Sequence, residues 1–340
     1  MIATKNILFI GAGASVGARL HLPRRPPLGN ELCSWLRGIE SELLRPGLAD
    51  LRVTVEEGFG ILKRWPTENN FEALLSKLEG DDVFRMQRLL MVAFSDLTDR
   101  PTNMRGSDLG FETRADLYDD LVEILGINSA DWAIVSLNYD LLFESALIRK
   151  GIPYRYPQFP DRSTCGANEP LKVYKPHGSI NFFANGQYQG FHANGAAARP
   201  MPTTFSISAN GRVTPDFGIV FAAPPGADNV LWVANGSSIS LPVMANYRKG
   251  KDILVNFRQL NSVRAESVAE FQTATRLVVI GVRMIDASDD QFVSDIFKIR
   301  FQSMDYICGN TAEGESVRKL HDNAEIFDRG LAAYLNSKKR

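Results

Sequence analysis

Apolar residues along the chain fall into short continuous runs that break at glycines or polar turns. Ile7-Leu8-Phe9-Ile10 leads straight into Gly11-Ala12-Gly13-Ala14-Ser15, and Trp132-Ala133-Ile134-Val135 leads into Ser136-Leu137-Asn138-Tyr139-Asp140. Leu277-Val278-Val279-Ile280 meets Gly281, Tyr306-Ile307-Cys308 meets Gly309-Asn310, and Glu325-Ile326-Phe327 precedes a short helix around Leu331 to Leu335. Runs of this length without alternation predict strands buried on both faces. After Asp140 a helix reads from Leu141 to Lys150, with Arg149 and Lys150 in its last turn and Gly151 just past it. Leu171-Lys172-Val173-Tyr174 is a further strand-like run. Strands followed by polar turns and helices describe an α/β chain with a doubly wound parallel sheet.

A different period separates the first two runs. Phe71, Leu74, Leu75 and Leu78 fall on one helix face. Val83, Met86, Leu90, Ala93 and Leu97 make a second stripe, and Leu117, Leu121, Val122 and Leu125 a third. Residues 30–125 are therefore expected to form an inserted helical subdomain over the sheet's edge. Residues 180–250 are rich in Gly, Ala, Ser, Asn and Pro, and read as a loop-rich insertion or lid with a few strands. The 340 residues suit roughly two domains at about 150 each. The strand runs instead form one sheet from Ile7 to Phe327, so the expectation is a single domain, 1–340, with insertions.

Composition narrows the function classes. The net charge of −1 gives no global argument for nucleic acid, so direct nucleic-acid binding is not expected. Three scattered cysteines, Cys33, Cys165 and Cys308, rule out a disulfide scaffold and a four-cysteine zinc site. They point to a reducing compartment. With no membrane span and no signal-peptide pattern, the expected location is the cytoplasm, with no membrane partner.

The residues suited to chemistry sit at the ends of the strand runs. Gly11 and Gly13 make a strand-to-helix turn of the kind that lets backbone approach a pyrophosphate. Val16 stands where the dehydrogenase fingerprint wants its third glycine, no acidic residue ends a second strand, and the P-loop lysine is missing. Hydride transfer and P-loop chemistry are therefore disfavoured, and a plain tight turn remains an alternative. Asn138 and Asp140 follow a buried strand at its carboxyl end, where open α/β sheets bind ligands; Asp140 alone also fits a helix N-cap. His177, boxed between Pro176 and Gly178, makes a rigid turn presenting an imidazole whose ordinary pKa suits acid–base work. His21, His192 and His321 read as structural or solvated, and none has metal-ligand spacing, so no metal is expected. Asp286, Asp289, Asp290 and Asp295 read as helix-start carboxylates rather than a metal cluster.

Four elements stand in order: GAGAS at 11–15, SLNYD at 136–140, KPHGS at 175–179 and VVIG at 278–281. Together they resemble the sirtuin family, and more closely its bacterial NAD-consuming anti-phage defence branch. ENNFEALLSKLE at 68–79 is similar to the helical segment of that branch. The resemblance spans residues 7 to about 335 and implies a Rossmann-like fold with NAD as substrate. It assigns Gly11, Ala12, Gly13 and Ser15 to the phosphates, and Asn138 to the nicotinamide ribose and the attacking water. Asp140 falls to the nicotinamide pocket, His177 to the base, and Gly281 and Asn310 to the adenosine half.

The departures have direction. The four zinc cysteines of the deacylases are absent, Gly17-Ala18-Arg19-Leu20 stands where their Gly-Ile-Pro-x-Phe-Arg segment would be, and Val282 replaces their late ribose-binding serine. The resemblance therefore implies a zinc-free NAD hydrolase that yields nicotinamide and ADP-ribose and depletes NAD in abortive infection. The alternatives are an NAD-dependent deacylase or ADP-ribosyl transferase, and a non-catalytic nucleotide-binding subunit. Gating would come from homo-oligomerisation or from a partner defence protein, an ATPase or a nucleic-acid-guided subunit.

Overall fold

The computed structural model describes residues 6–19, 25–44, 52–78, 81–97, 116–157, 169–184, 187–189, 199–201, 204–207, 213–216, 220–222, 242–244, 258–283 and 291–339. Cys165, His21, His192, Asp286, Asp289 and Asp290 lie outside them, as does much of 180–250.

Seven strands form the main sheet: β1 (Asn6–Ile10), β2 (Trp132–Ser136), β3 (Tyr154–Arg155), β4 (Leu171–Tyr174), β12 (Arg276–Ile280), β13 (Ser303–Ile307) and β14 (Ala324–Phe327). Their order is β14-β13-β12-β1-β2-β4-β3, and every pairing is parallel. Ile7, Leu8, Phe9 and Ile10 have no exposed surface, as a strand covered on both faces requires. Each such side chain contributes roughly 1.5–3 kcal/mol by leaving water. On one face lie α1 (Ala12–Ala18), α7 (Leu117–Ile124), α8 (Leu142–Arg149) and the last helix, α12 (Gly330–Lys338). On the other, Phe9 meets Phe271 of α9 (Arg258–Thr273) and Phe292 of α10 (Gln291–Phe297) edge to face. The sheet is thus doubly wound, and the five strand runs and the run at 171–174 lie in it. Cys308 falls just past β13, which starts earlier than its apolar run.

A second core lies beside the first. It is built from α2 (Leu32–Gly38), α3 (Glu40–Leu43), α4 (Arg52–Arg64), α5 (Phe71–Lys77) and α6 (Asp81–Leu97), with Phe59, Leu74, Met86 and Leu89 buried inside it. The stripes at 71–78 and 83–97 pack there. The third stripe packs elsewhere: Tyr118, Leu121 and Val122 of α7 belong to the sheet's core. A capping box at Asp116 starts α7, and its apolar face turns onto α8 and α1. The segment after β4 continues as β5 (Gly178–Ala184), paired antiparallel between β10 (Val220–Ala222) and β11 (Pro242–Met244). Two antiparallel pairs, β6 (Gln187–Gln189) with β7 (Arg199–Met201) and β8 (Thr204–Ile207) with β9 (Val213–Asp216), complete the described strands of that region. Helix α9 carries a weak apolar period and was not legible as a stripe.

Candidate functional site

The chain leaves β1 for β2 on one side and later returns to β12 on the other, so the winding reverses between β1 and β12. Ligands of open α/β sheets bind outside the strands' carboxyl ends at this reversal. Two glycine turns meet there. Gly11 N–H donates to Ile280 O at 2.9 Å and Gly13 N–H to Gly281 O at 3.2 Å. Gly281 has φ +63, and a Cβ on it would overlap the backbone of Gly13 and Ala14. A Cβ on Gly13 would stand 2.9 Å from Gly281 Cα. Glycine is thus required at these turns by backbone-to-backbone packing. Two first-turn N–H groups are committed: that of Gly13 to Gly281, and that of Ala14 to Gly11 O at 2.9 Å. Helix α1 therefore offers a phosphate fewer donors than a free helix N-terminus.

One side of this turn faces a buried polar hub. Ser15 Oγ accepts from Asn138 Nδ2 at 2.8 Å and lies 2.9 Å from Tyr118 OH. A hydroxyl has one proton and two lone pairs. Ser15 accepts from Asn138 and shares its remaining hydrogen-bonding capacity with Tyr118, where either hydroxyl can be the donor. The hub also fixes which way the Asn138 amide points, because its nitrogen is used inward. Asn138 Oδ1 is then a buried acceptor with no hydrogen-bond partner among the described residues. Such an atom is unfavourable in an empty protein and favourable beside a donor-bearing ligand. The Ser15 side chain is turned into the protein, toward Asn138 and Tyr118.

Asp140 caps from one position before the expected one. Its Oδ1 accepts Leu142 N–H at 3.1 Å, while Leu141 is the residue at the N-cap of α8. Burial raises its pKa, and the Lys175 ammonium opposes that rise. Asp140 thus supports the helix start from the position before the N-cap and is also a buried acid beside Lys175.

The Asn138–Asp140 turn is stitched to the His177 turn. Lys175, fully buried, donates to Asp140 O at 2.6 Å and to Glu144 Oε1 at 2.9 Å. Gly178 N–H closes back on Lys175 O at 2.9 Å, Ile180 N–H donates to Tyr139 O at 3.1 Å and Ser179 Oγ to the same carbonyl at 3.3 Å. Gly178, with φ +81, lets the chain turn from His177 into β5. His177 is buried within this junction, and Arg264 of α9 holds the Pro176 carbonyl at 3.0 Å. Glu144 also accepts from Tyr156 OH at 3.2 Å, which in turn accepts from Asn181 at 3.3 Å.

Of the sequence candidates, Gly11, Ala12, Gly13, Ser15, Asn138 and Gly281 thus share one end of the sheet, and Asp140 and His177 share the stitched turns. Asn310 stands apart in role. It is exposed, caps α11 (Thr311–Leu320) by accepting Glu313 N–H at 2.8 Å, and donates back to the Glu313 carboxylate at 3.3 Å. Its side chain is engaged on its own helix. His321 is buried with Nε2 on Phe297 O, a structural placement. Sequence reasoning missed Tyr118, Glu144 and Lys175. Lys175 stood inside the KPHGS motif, and a lysine after an apolar strand and before Pro-His-Gly was the available signal. Tyr118 and Glu144 carry none, because only packing brings them inward. Among the described residues no three His, Cys, Asp or Glu side chains gather as a metal site, and no helix is long and apolar enough to cross a membrane.

No family model and no curated protein matches the chain. Several solved structures align over nearly its whole length. A Sir2 enzyme described for its mechanism and regulation is 10% identical, with 99% of this chain and 93% of that one covered, at a TM-score of 0.38. Sir2Tm bound to a propionylated peptide is 9% identical, covering 98% and 92%, at 0.40. A Sir2 homologue variant with ADP ribose is 14% identical, covering 99% and 90%, at 0.37.

Proposed function

We propose that this protein is an NAD hydrolase that cleaves the nicotinamide–ribose bond and releases nicotinamide and ADP-ribose. The single observation that carries the reading is Asn138 Oδ1, a buried acceptor left open beside the winding reversal of the sheet. An acceptor held there suits a donor such as a ribose hydroxyl or a water. The ordered motifs that resemble the sirtuin family support NAD as the molecule that brings that ribose.

The chemistry asks little of the protein as an acid. The pyridinium leaving group is already cationic and departs neutral. What needs help is the positive charge that develops on the ribose, as in glycoside cleavage. Asn138 would orient the nicotinamide ribose and the attacking water through Oδ1, held by Ser15 and Tyr118. His177 would accept a proton from water or a ribose hydroxyl. Asp140 would line the nicotinamide pocket, and a carboxylate there favours developing positive charge. The glycine turns at Gly11–Gly13 and Gly281 would pass along the phosphates and adenosine. Asn310 would reach that half only through its backbone or by leaving its cap.

The proposal extends to context. The reaction would run in the cytoplasm, without zinc, and would deplete NAD in anti-phage defence by abortive infection. Assembly with further copies, or with an ATPase or nucleic-acid-guided partner, would gate it. The test is acceptor dependence. Purified protein is given NAD with and without an acyl-lysine peptide, and products are resolved by chromatography. Equal ADP-ribose in both arms is expected. Product only with peptide would favour the deacylase or transferase reading, and tight NAD binding without turnover in any assembly would favour the non-catalytic one.

A further inference from the structure

Lys175 and Glu144 form an ion pair with essentially no exposed surface, at 2.9 Å. Removing two charges from water is unfavourable, and a well-packed apolar pair usually holds a core as well or better. The pair is therefore poorly explained as a source of stability. Its geometry offers another explanation. Lys175 lies two residues before His177, and its ammonium reaches across to Asp140 O, two residues after Asn138. Glu144, on the first turn of α8, is anchored from behind by Tyr156 OH. The lysine thus spans the two turns that carry the basic and the amide group, beside the bonds that Ile180 N–H and Ser179 Oγ make to Tyr139 O.

We infer that Lys175, held by Glu144, is a positioning residue that sets the distance between the His177 turn and the Asn138 turn. This inference rests on the NAD-hydrolase reading for its consequence in turnover, but its structural content stands apart from it. Chemistry at a bound ribose is sensitive to displacement of about 1 Å. A loosened clamp therefore lowers the rate of the bound complex and leaves NAD affinity, which depends on the glycine turns, nearly intact.

The test replaces the pair by apolar residues, so that no charge is left alone in the core. In Lys175→Met/Glu144→Met we expect a folded protein by circular dichroism, a kcat lower by roughly 10²-fold and a KM within about threefold. Glu144→Gln keeps an acceptor for Lys175 and Tyr156 and is expected to keep most of the rate. A folded double variant with wild-type kcat overturns the inference. If the double variant does not fold, Glu144→Leu takes its place and is read the same way, since a buried lysine can shed its proton. If the wild type does not cleave NAD, the hydrolase reading fails and the clamp is judged by NMR of ¹³C-labelled histidines. The His177 signal, identified by its loss in His177→Gln, should shift or broaden in the clamp variant while that of His321 stays. An unchanged His177 signal refutes the clamp independently of any activity.

Discussion

Asn138 shows how much one side chain's orientation depends on others. Its nitrogen is satisfied by Ser15, Ser15 in turn pairs with Tyr118, and the amide oxygen alone has no partner among the described residues. Asn138→Ala removes that acceptor and is expected to lower kcat by roughly 10²-fold while NAD affinity changes little; steady-state kinetics would detect it. His177→Ala should lose about 10²–10⁴-fold, the range of a general base, with an unaltered circular dichroism spectrum. Full activity in that variant would remove His177 from the mechanism. The sequence made Asn138, Asp140 and His177 visible because each follows a strand run or sits in a constrained turn. It did not reveal that Ser15 turns inward. That depends on Tyr118, 103 residues away, arriving from α7.

At the scale of elements, the glycine turns and the helix starts carry the account. Gly281 and Gly151 both have positive φ, +63 and +68, but only Gly281 has backbone pressed against its α-carbon. Gly151→Ala should cost about 1 kcal/mol, from φ alone. Gly281→Ala adds a clash with Gly13 and Ala14 and should cost distinctly more, upwards of about 3 kcal/mol. Urea unfolding of the two variants gives the comparison, and equal losses would contradict the packing argument. The start of α7 supplies a pH prediction. Asp116 lies buried between Arg19 and Arg149, and burial dominates, so its pKa is raised to about 6. The folded state then holds this proton more tightly than the unfolded chain. The stability it contributes is full below about pH 4 and is lost as pH rises through 6. Urea midpoints taken from pH 4 to 7 should show this component in the wild type and lack it in Asp116→Asn. Strands were legible because their runs are short, apolar and end in glycine. Helix α7 was assigned with its neighbouring stripes because a stripe shows that a face is apolar but not which core it enters.

Over the whole molecule, two cores meet at the stitched turns. Leu141 and Ile180 are buried in the helical core, although each adjoins a turn carried by the main sheet. The helices from α2 to α6 therefore support the site from one side and the sheet from the other. Truncating a central residue of the helical core, Phe59→Ala, should destabilise it by about 3–5 kcal/mol. Hydrogen exchange should show protection falling in α4 and α6 and at the 139–142 turn before it falls in β1 and β12. Simultaneous loss everywhere would mean that the two cores do not open separately. Long-range packing of this kind is invisible in local periodicity, which is why the junction, unlike the motifs, was not legible in the sequence.

In the proposed reaction one chain hydrolyses NAD without an acceptor, using Asn138 and His177. The most direct measurement is quantification of nicotinamide and ADP-ribose released from NAD by the purified wild type, beside Asn138→Ala and His177→Ala at equal concentration. The two products are expected from the wild type in a one-to-one ratio, formed without peptide and nearly absent in both variants. Release by the variants at the wild-type rate, or no release by the wild type in any assembly, would contradict the proposal.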